Sequence, residues 1–187
     1  MPDIFCFDEL TWPDVAALPR TTALVLPLGN PPDEEGINAV LKTTQPVGIL
    51  PAIPFGWAGS GLEVREPVFA ALVHNLVGNL LEDGFSTIYL LAPAGLNMGA
   101  GLPAIVLARN ISAALTLPAD REQVVLLPIG HTEQHGYHVP LSTDTLIIEA
   151  VARGTAQASA GRAAALPVFP YSVSTHRRSF PGTFNVG

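Results

Sequence analysis

The chain turns on Leu127-Pro128-Ile129-Gly130-His131-Thr132-Glu133-Gln134-His135-Gly136-Tyr137-His138, continued by Val139-Pro140-Leu141-Ser142-Thr143-Asp144-Thr145. An apolar run, Val124 to Pro128, feeds it, and a helical pattern starts near Thr145. Three of the five histidines fall between His131 and His138, beside Glu133, with Asp144 a few positions on. Imidazole nitrogen and carboxylate oxygen at close quarters are the ligands that zinc and its first-row neighbours prefer. Gly136 and Pro140 make a turn-rich loop, whose irregular backbone can aim several side chains at one point. Glu133 and His135 stand two apart, a spacing that puts both on one face of an extended segment. Asp144 can return to that point through the turn at Pro140, or it can cap the following helix.

Working outward, the bulk of the sequence bounds the class. The 187 residues suit one ordinary domain or two small ones. Charged residues make up only 13%, which points to further burial in an oligomer. The net charge of -7 and the absence of a Lys/Arg cluster argue against nucleic acid. Cys6 is the single cysteine, so no internal disulfide forms, and a reducing compartment is expected. No apolar run reaches membrane-spanning length, and the N-terminus lacks the basic start of a signal peptide. A soluble cytoplasmic protein with no membrane partner is expected. Gly95, Gly99 and Gly101 form no dinucleotide or phosphate-loop pattern. Ser142 and Ser174 lack the nucleophile-elbow context, and Cys6 is isolated.

Elsewhere the pattern alternates. Residues 8 to 19 suit a short helix with Thr11 as N-cap and Pro13 in the first turn. Ala23 to Pro27 and Val47 to Pro51 read as buried parallel strands. Asn30 to Gly36 reads as a loop. Glu66 to Glu82 carries the best helix signal: Val68, Leu72, Leu76 and Leu80 recur every four residues, Pro67 opens it and Gly84 stops it. Thr87 to Leu91 reads as a strand, Ala92 to Gly101 as a Gly-rich loop, and Pro103 to Leu115 as a helix. Gln123 to Pro128 and Ala163 to Pro167 read as strands flanking a helix over Thr145 to Ala158. Strands alternating with helices predict a layered α/β/α fold with a mainly parallel sheet. His74, inside the long helix, is expected to be structural.

The sequence also echoes itself. Leu26-Pro27-Leu28-Gly29 returns 101 positions later as Leu127-Pro128-Ile129-Gly130. Leu50-Pro51-Ala52-Ile53-Pro54-Phe55 returns 116 positions later as Leu166-Pro167-Val168-Phe169-Pro170-Tyr171. The second interval is therefore 15 residues longer, and the extra residues lie where the histidine loop is.

Leu127 to Thr145 closely resembles the metal-binding signature of the creatininase (creatinine amidohydrolase) family, with His131 in place of the usual Ser. A second family element matches Pro167 to Ser174 followed by Phe180-Pro181-Gly182-Thr183. The resemblance implies that Glu133, His135 and Asp144 are metal ligands, with Asp144 bridging two ions. It implies Zn or Mn, or alternatively Fe. His138 is a direct ligand or a group that orients one, and His131 is expected at the surface. His176 and Arg177 replace the family's Glu and His, so this segment is either a substrate loop or a plain surface loop. No further catalytic residue is assigned.

On the same resemblance, residues 1–117 look like a degenerate unit without the metal motif, in which Ala94 stands where the family has a ligand. Residues 118–187 look like the start of a second unit that carries the motif and stops early. The implied activity is metal-dependent hydrolysis of a cyclic amide or other C–N amide bond in a small-molecule substrate, in a homo-oligomer. The family also includes a formamide hydrolase of flavin biosynthesis and a peptidase that matures a peptide-derived redox cofactor. A non-catalytic creatininase-like scaffold is the alternative, and the chain as given is expected to bind one ion at most and to be weakly active or inactive.

Overall fold

The computed structural model describes residues 3–111, 115–118 and 122–187. Its centre is a five-stranded, wholly parallel sheet in the order β1-β3-β2-β4-β5. The strands are β1 (Ile4–Cys6), β2 (Ala23–Pro27), β3 (Val47–Ile49), β4 (Thr87–Pro93) and β5 (Ile105–Arg109). A second, two-stranded parallel sheet joins β6 (Val124–Leu126) to β7 (Ala163–Ala165). The helices are α1 (Trp12–Ala17), α2 (Glu34–Leu41), α3 (Glu66–Glu82) and α4 (Thr143–Ala158). This is the mixed α/β architecture with a mainly parallel sheet that the sequence pattern predicts.

The layers follow from alternation along β2, which is buried on both faces. Leu24 and Leu26, with Leu28 just beyond the strand, join the cluster built on α3 residues Phe69, Val73, Leu76, Val77 and Leu80. Ala23 and Val25 face the opposite side, where they pack with Ile37 of α2, Val47 and Leu91. Period-two side chains thus put a helix on each face of the sheet. The α3 cluster also takes in Leu141, Tyr171 and Phe184, so loops from the second sheet's segment complete the first sheet's core.

Polar ties reinforce that seam. Arg178 donates to Asp83 Oδ1 at 3.0 Å, to the Asn79 carbonyl at 2.9 Å and to Glu82 Oε2 at 2.6 Å. Asp83 also accepts from the Gly182 N–H at 2.8 Å, and the Tyr171 hydroxyl donates to the Pro51 carbonyl at 2.6 Å.

Three elements differ from the sequence pattern. The segment read as a helix over Pro103 to Leu115 contains a strand instead, β5, although residues 112–114 lie outside the described residues. Ile105-Val106-Leu107 is short and β-branched, and β4 offers it a parallel edge from Tyr89 to Pro93. The loop expected over Asn30 to Gly36 turns into α2 at Glu34, because the Asp33 carboxylate accepts the Gly36 N–H at 2.9 Å and caps the helix. β1 was not anticipated; its three residues are held by pairing with Val47 to Ile49. No helix among the described residues is long and apolar enough to cross a membrane.

Candidate metal centre

Past β6 the chain passes Pro128 and Ile129, where a parallel bridge ties Ile129 to Phe169. The Gly130 N–H donates to the Phe169 carbonyl at 2.9 Å. Gly130 sits against the start of α4, since a Cβ there would lie 2.6 Å from both Thr145 Cα and Oγ1. Its lack of a side chain lets the loop touch the helix that carries Asp144. Thr132 Oγ1 donates to the Pro170 carbonyl at 2.9 Å, and the Thr132 carbonyl accepts the Phe184 N–H at 3.1 Å. The Gln134 N–H donates to Thr183 Oγ1 at 3.1 Å. The second element, Pro167 to Ser174 with Phe180 to Thr183, therefore backs the first, together with the adjoining Phe184. The far end of the loop is pinned by the N-terminal segment: the Leu141 N–H donates to the Leu10 carbonyl and the Ser142 N–H to the Asp8 carbonyl.

Held this way, Glu133, His135 and Asp144 converge, each offering one ligand atom within 4.8 Å of the other two. Asp144 lies within the first turn of α4 rather than at its N-cap, which is Ser142. His135 Nδ1 lies 3.0 Å from the Glu133 carbonyl, and His135 Nε2 lies 3.2 Å from Asp144 Oδ1. A carbonyl can only accept, so Nδ1 carries a proton, and Nε2 is the ring atom turned toward the Asp144 carboxylate. A proton or a bound cation between His135 Nε2 and Asp144 Oδ1 satisfies both atoms. Glu133 is 7% exposed, and its Oε2 is buried without a hydrogen bond. An orphaned carboxylate oxygen beside such a pair fits a divalent ion of the zinc type. The Asp144 side chain is 40% exposed, which leaves the site open on one side.

His131 is buried at 5% exposure, contrary to the surface position expected for it. Its Nδ1 accepts the Ser172 N–H at 2.9 Å, so the neutral ring carries its proton on Nε2, 3.7 Å from Glu133 Oε2. Burial pushes the imidazole below its ordinary range, against the pull of Glu133 and Asp144. This keeps the ring neutral and turns an N–H, not a lone pair, toward Glu133.

The remaining candidates lie apart. His138 is exposed, and its ring contacts Tyr137, whose own ring stacks on Trp12. His176 is exposed and accepts from Arg177 Nε at 3.2 Å. His74 is structural in its contacts, with Nε2 2.9 Å from the Met98 carbonyl. Ala94 is an exposed residue in the turn after β4. Arg177, read from sequence only as a departure from the family pattern, comes to the centre itself: its Nη1 lies 3.4 Å from Glu133 Oε1.

Comparison with known proteins fits this geometry. The creatinine amidohydrolase (Creatininase) family model matches residues 110–187. The mycofactocin precursor peptide peptidase of Mycobacterium ulcerans (strain Agy99) is 41% identical over 70 residues, covering 34% of this chain and 28% of the relative. The protein of the same name from Mycolicibacterium smegmatis is 46% identical over 68 residues, with the same coverage. The one from Mycobacterium tuberculosis (strain ATCC 25618 / H37Rv) is 39% identical over 79 residues, covering 38% of this chain and 31% of the relative. The chain thus spans about three-tenths of the length of the curated relatives it matches. No solved structure matches it. The histidine loop, its backing motif and the parallel β6–β7 frame all lie inside the segment, residues 110–187, that is similar to the creatininase (creatinine amidohydrolase) family.

Proposed function

We propose that this chain carries the metal-binding part of a metal-dependent amide hydrolase, and that the bond cleaved is a peptide-type C–N amide. The single observation behind this reading is the convergence of Glu133, His135 and Asp144, with His135 Nε2 turned toward the Asp144 carboxylate. A divalent ion held there would polarise the substrate carbonyl and lower the pKa of a bound water. Glu133 and Asp144 supply the negative charge that keeps the ion, and His135 supplies a neutral ligand aligned by its Nδ1–H. The peptide-type bond is suggested by the names of the relatives, which are peptidases acting on a precursor peptide. Zinc and manganese both suit this donor set, and a homo-oligomer fits the low charge content.

The test is metal content and hydrolysis together. The chain should retain zinc or manganese through dialysis, and Asp144→Asn should lose at least about tenfold in metal affinity, the scale on which even supporting partners of a ligand matter. A peptide amide substrate assayed with each metal reports turnover. Unchanged metal binding in Asp144→Asn would remove the carboxylate from the centre. Metal retention without turnover on any amide would favour a binding scaffold.

A further inference from the structure

We propose that a cavity at the carboxyl end of the five-stranded sheet, walled by α2, β4 and β5, binds a small apolar monocarboxylate through Arg109. The site uses none of the metal-centre residues, so it goes beyond the hydrolase reading and does not depend on it.

The place follows from topology. From β2 the chain crosses to β3 on one side, and β4 returns on the other, in the order β1-β3-β2-β4-β5. The crevice outside the carboxyl ends of strands that part in this way is where open α/β sheets bind ligands. Leu28 and Asn30 lie just past the end of β2, and Arg109 ends β5, paired with Pro93 at the end of β4. The Arg109 side chain spans that crevice. Its Nη2 donates to the Leu28 carbonyl at 2.9 Å and to the Asn30 carbonyl.

Both of those partners are neutral. Among the described residues, the arginine ion pairs are those of Arg153, Arg177 and Arg178, and Arg109 has none. Its Nε is buried without a hydrogen bond. Burial pushes the guanidinium below its ordinary range, yet arginine stays charged at any working pH. A half-buried charge held only by carbonyls is costly, and an anion beside it offsets that cost.

The shape and the neighbours choose the anion. The cavity holds about 240 Å³ and is walled by Pro32, Gly36, Val40, Leu91 and Leu107, with Arg109 among them. An apolar cavity of about 150 Å³ accepts benzene, so this one has room for a ring or a branched chain and a carboxylate. Asp33, Glu34 and Glu35 stand between Pro32 and Gly36 in the sequence, so a second negative charge on the ligand is repelled. A monoanion with a hydrocarbon body therefore suits the cavity better than a phosphate.

Benzoate is the probe, titrated into the intact chain by ligand-observed magnetic resonance and calorimetry beside benzamide and inorganic phosphate. Benzoate should bind in about the millimolar range, as suits so small a ligand. Benzamide, which keeps the ring and loses the charge, should bind at least about tenfold more weakly, and so should phosphate. Arg109→Met should weaken benzoate by about tenfold or more, and Arg109→Lys, which keeps the charge, by less. Val40 is 46% exposed, so Val40→Phe can fill the cavity while leaving Arg109 in place, and it should also remove benzoate binding. Circular dichroism checks each fold, and Val40→Phe decides the matter if Arg109→Met does not fold. No benzoate binding to the intact chain would overturn the proposal, as would equal binding of benzoate and benzamide. Phosphate binding as tightly as benzoate would overturn the ligand class. Benzoate binding that survives Val40→Phe, or that vanishes when a chelator strips metal from the chain, would place the carboxylate elsewhere and overturn the site. A chain that binds benzoate but no zinc would sink only the hydrolase reading.

Discussion

The β2–β3 frame and the β6–β7 frame are built on one hydrogen-bonding plan and packed in opposite ways. Ala23 pairs with Val47 and Val25 with Ile49; 101 and 116 positions later, Val124 pairs with Ala163 and Leu126 with Ala165. The loop bonds follow the same offsets. The Gly29 N–H donates to Ile53 and the Ile53 N–H to Pro27, as the Gly130 N–H donates to Phe169 and the Phe169 N–H to Pro128. Their surroundings do not follow. β2 lies between β3 and β4 and is wholly buried, whereas among the described residues β6 pairs with β7 alone, and Val124 is 59% exposed. α2 spans eight residues and the corresponding α4 sixteen, with the histidine loop ahead of it. In the first frame, the guanidinium of Arg109 reaches the Leu28 and Asn30 carbonyls just past β2. In the second, the loop just past β6 carries Glu133 and His135, which converge with Asp144. Equal backbone registers with unequal burial show that the strand plan does not by itself make a core.

The sharpest way to break this contrast is to truncate equivalent residues. Leu24 is fully buried, and its counterpart Val125 is 43% exposed. Leu24→Ala should cost about 2–5 kcal/mol, the range for large-to-small changes in a packed core. Val125→Ala should cost less than about 1 kcal/mol, as partly exposed positions do. Urea denaturation of both variants measures the difference. Similar losses would mean that Val125 is covered in solution, by another copy or another segment.

The two loop glycines sharpen the comparison at a finer scale. Gly29 is held at φ +68, a backbone that side chains disfavour. Gly130 is needed for another reason, the 2.6 Å approach that its Cβ would make to Thr145. Gly130→Ala should cost about 1–3 kcal/mol as the start of α4 is pushed away, and it should weaken zinc binding by displacing Asp144. Gly29→Ala should cost a comparable or smaller amount and leave zinc binding unchanged. Calorimetry on both variants separates backbone strain from damage to the site.

Much of this was legible because the signals were local. α3 was readable end to end from its four-residue period, Pro67 and Gly84, and it spans Glu66–Glu82. β2 and β6 were readable as short apolar runs feeding Pro-Gly landmarks. β5 was not, because a short, mostly apolar run fits helix and strand alike until a neighbouring edge chooses. α2 buries only Ile37, so it gave little periodic signal. At the site, Glu133 and His135 could be singled out from their spacing within one loop, and Asp144, in the first turn of α4, through the family resemblance. His131 and Arg177 could not be placed. The burial of His131 depends on Ser172, 41 positions away, and Arg177 meets Glu133 from the other motif. Both facts belong to the way one motif backs the other.

The smallest expected effect tests the seam between the two frames. The Asp8 carbonyl accepts the Ser142 N–H and so fixes the end of the histidine loop, while burial pushes the Asp8 carboxyl above its ordinary range. Glu9 adds to the rise and a backbone hydrogen bond opposes it. A carboxyl with a raised folded-state pKa binds more protons when folded than when unfolded. Its contribution to stability is therefore fully present below the unfolded pKa and falls as pH rises through the folded value. At neutral pH the folded chain carries the full cost of a buried charge at Asp8. Asp8→Asn removes that charge and keeps the backbone carbonyl that Ser142 needs. It should stabilise the chain at pH 7 by no more than about 1 kcal/mol, the ordinary scale for one partly buried position. The gain should shrink toward zero as pH falls below the unfolded carboxylate pKa, where wild-type Asp8 is protonated in both states. Thermal melts of both proteins between pH 3 and 7 give the two curves, taken over about that range because it brackets the usual carboxylate values. A gain independent of pH would mean that the charge is not what the substitution relieves. A loss at pH 7 would show that the Asp8 carboxylate itself, and not only its carbonyl, holds the seam.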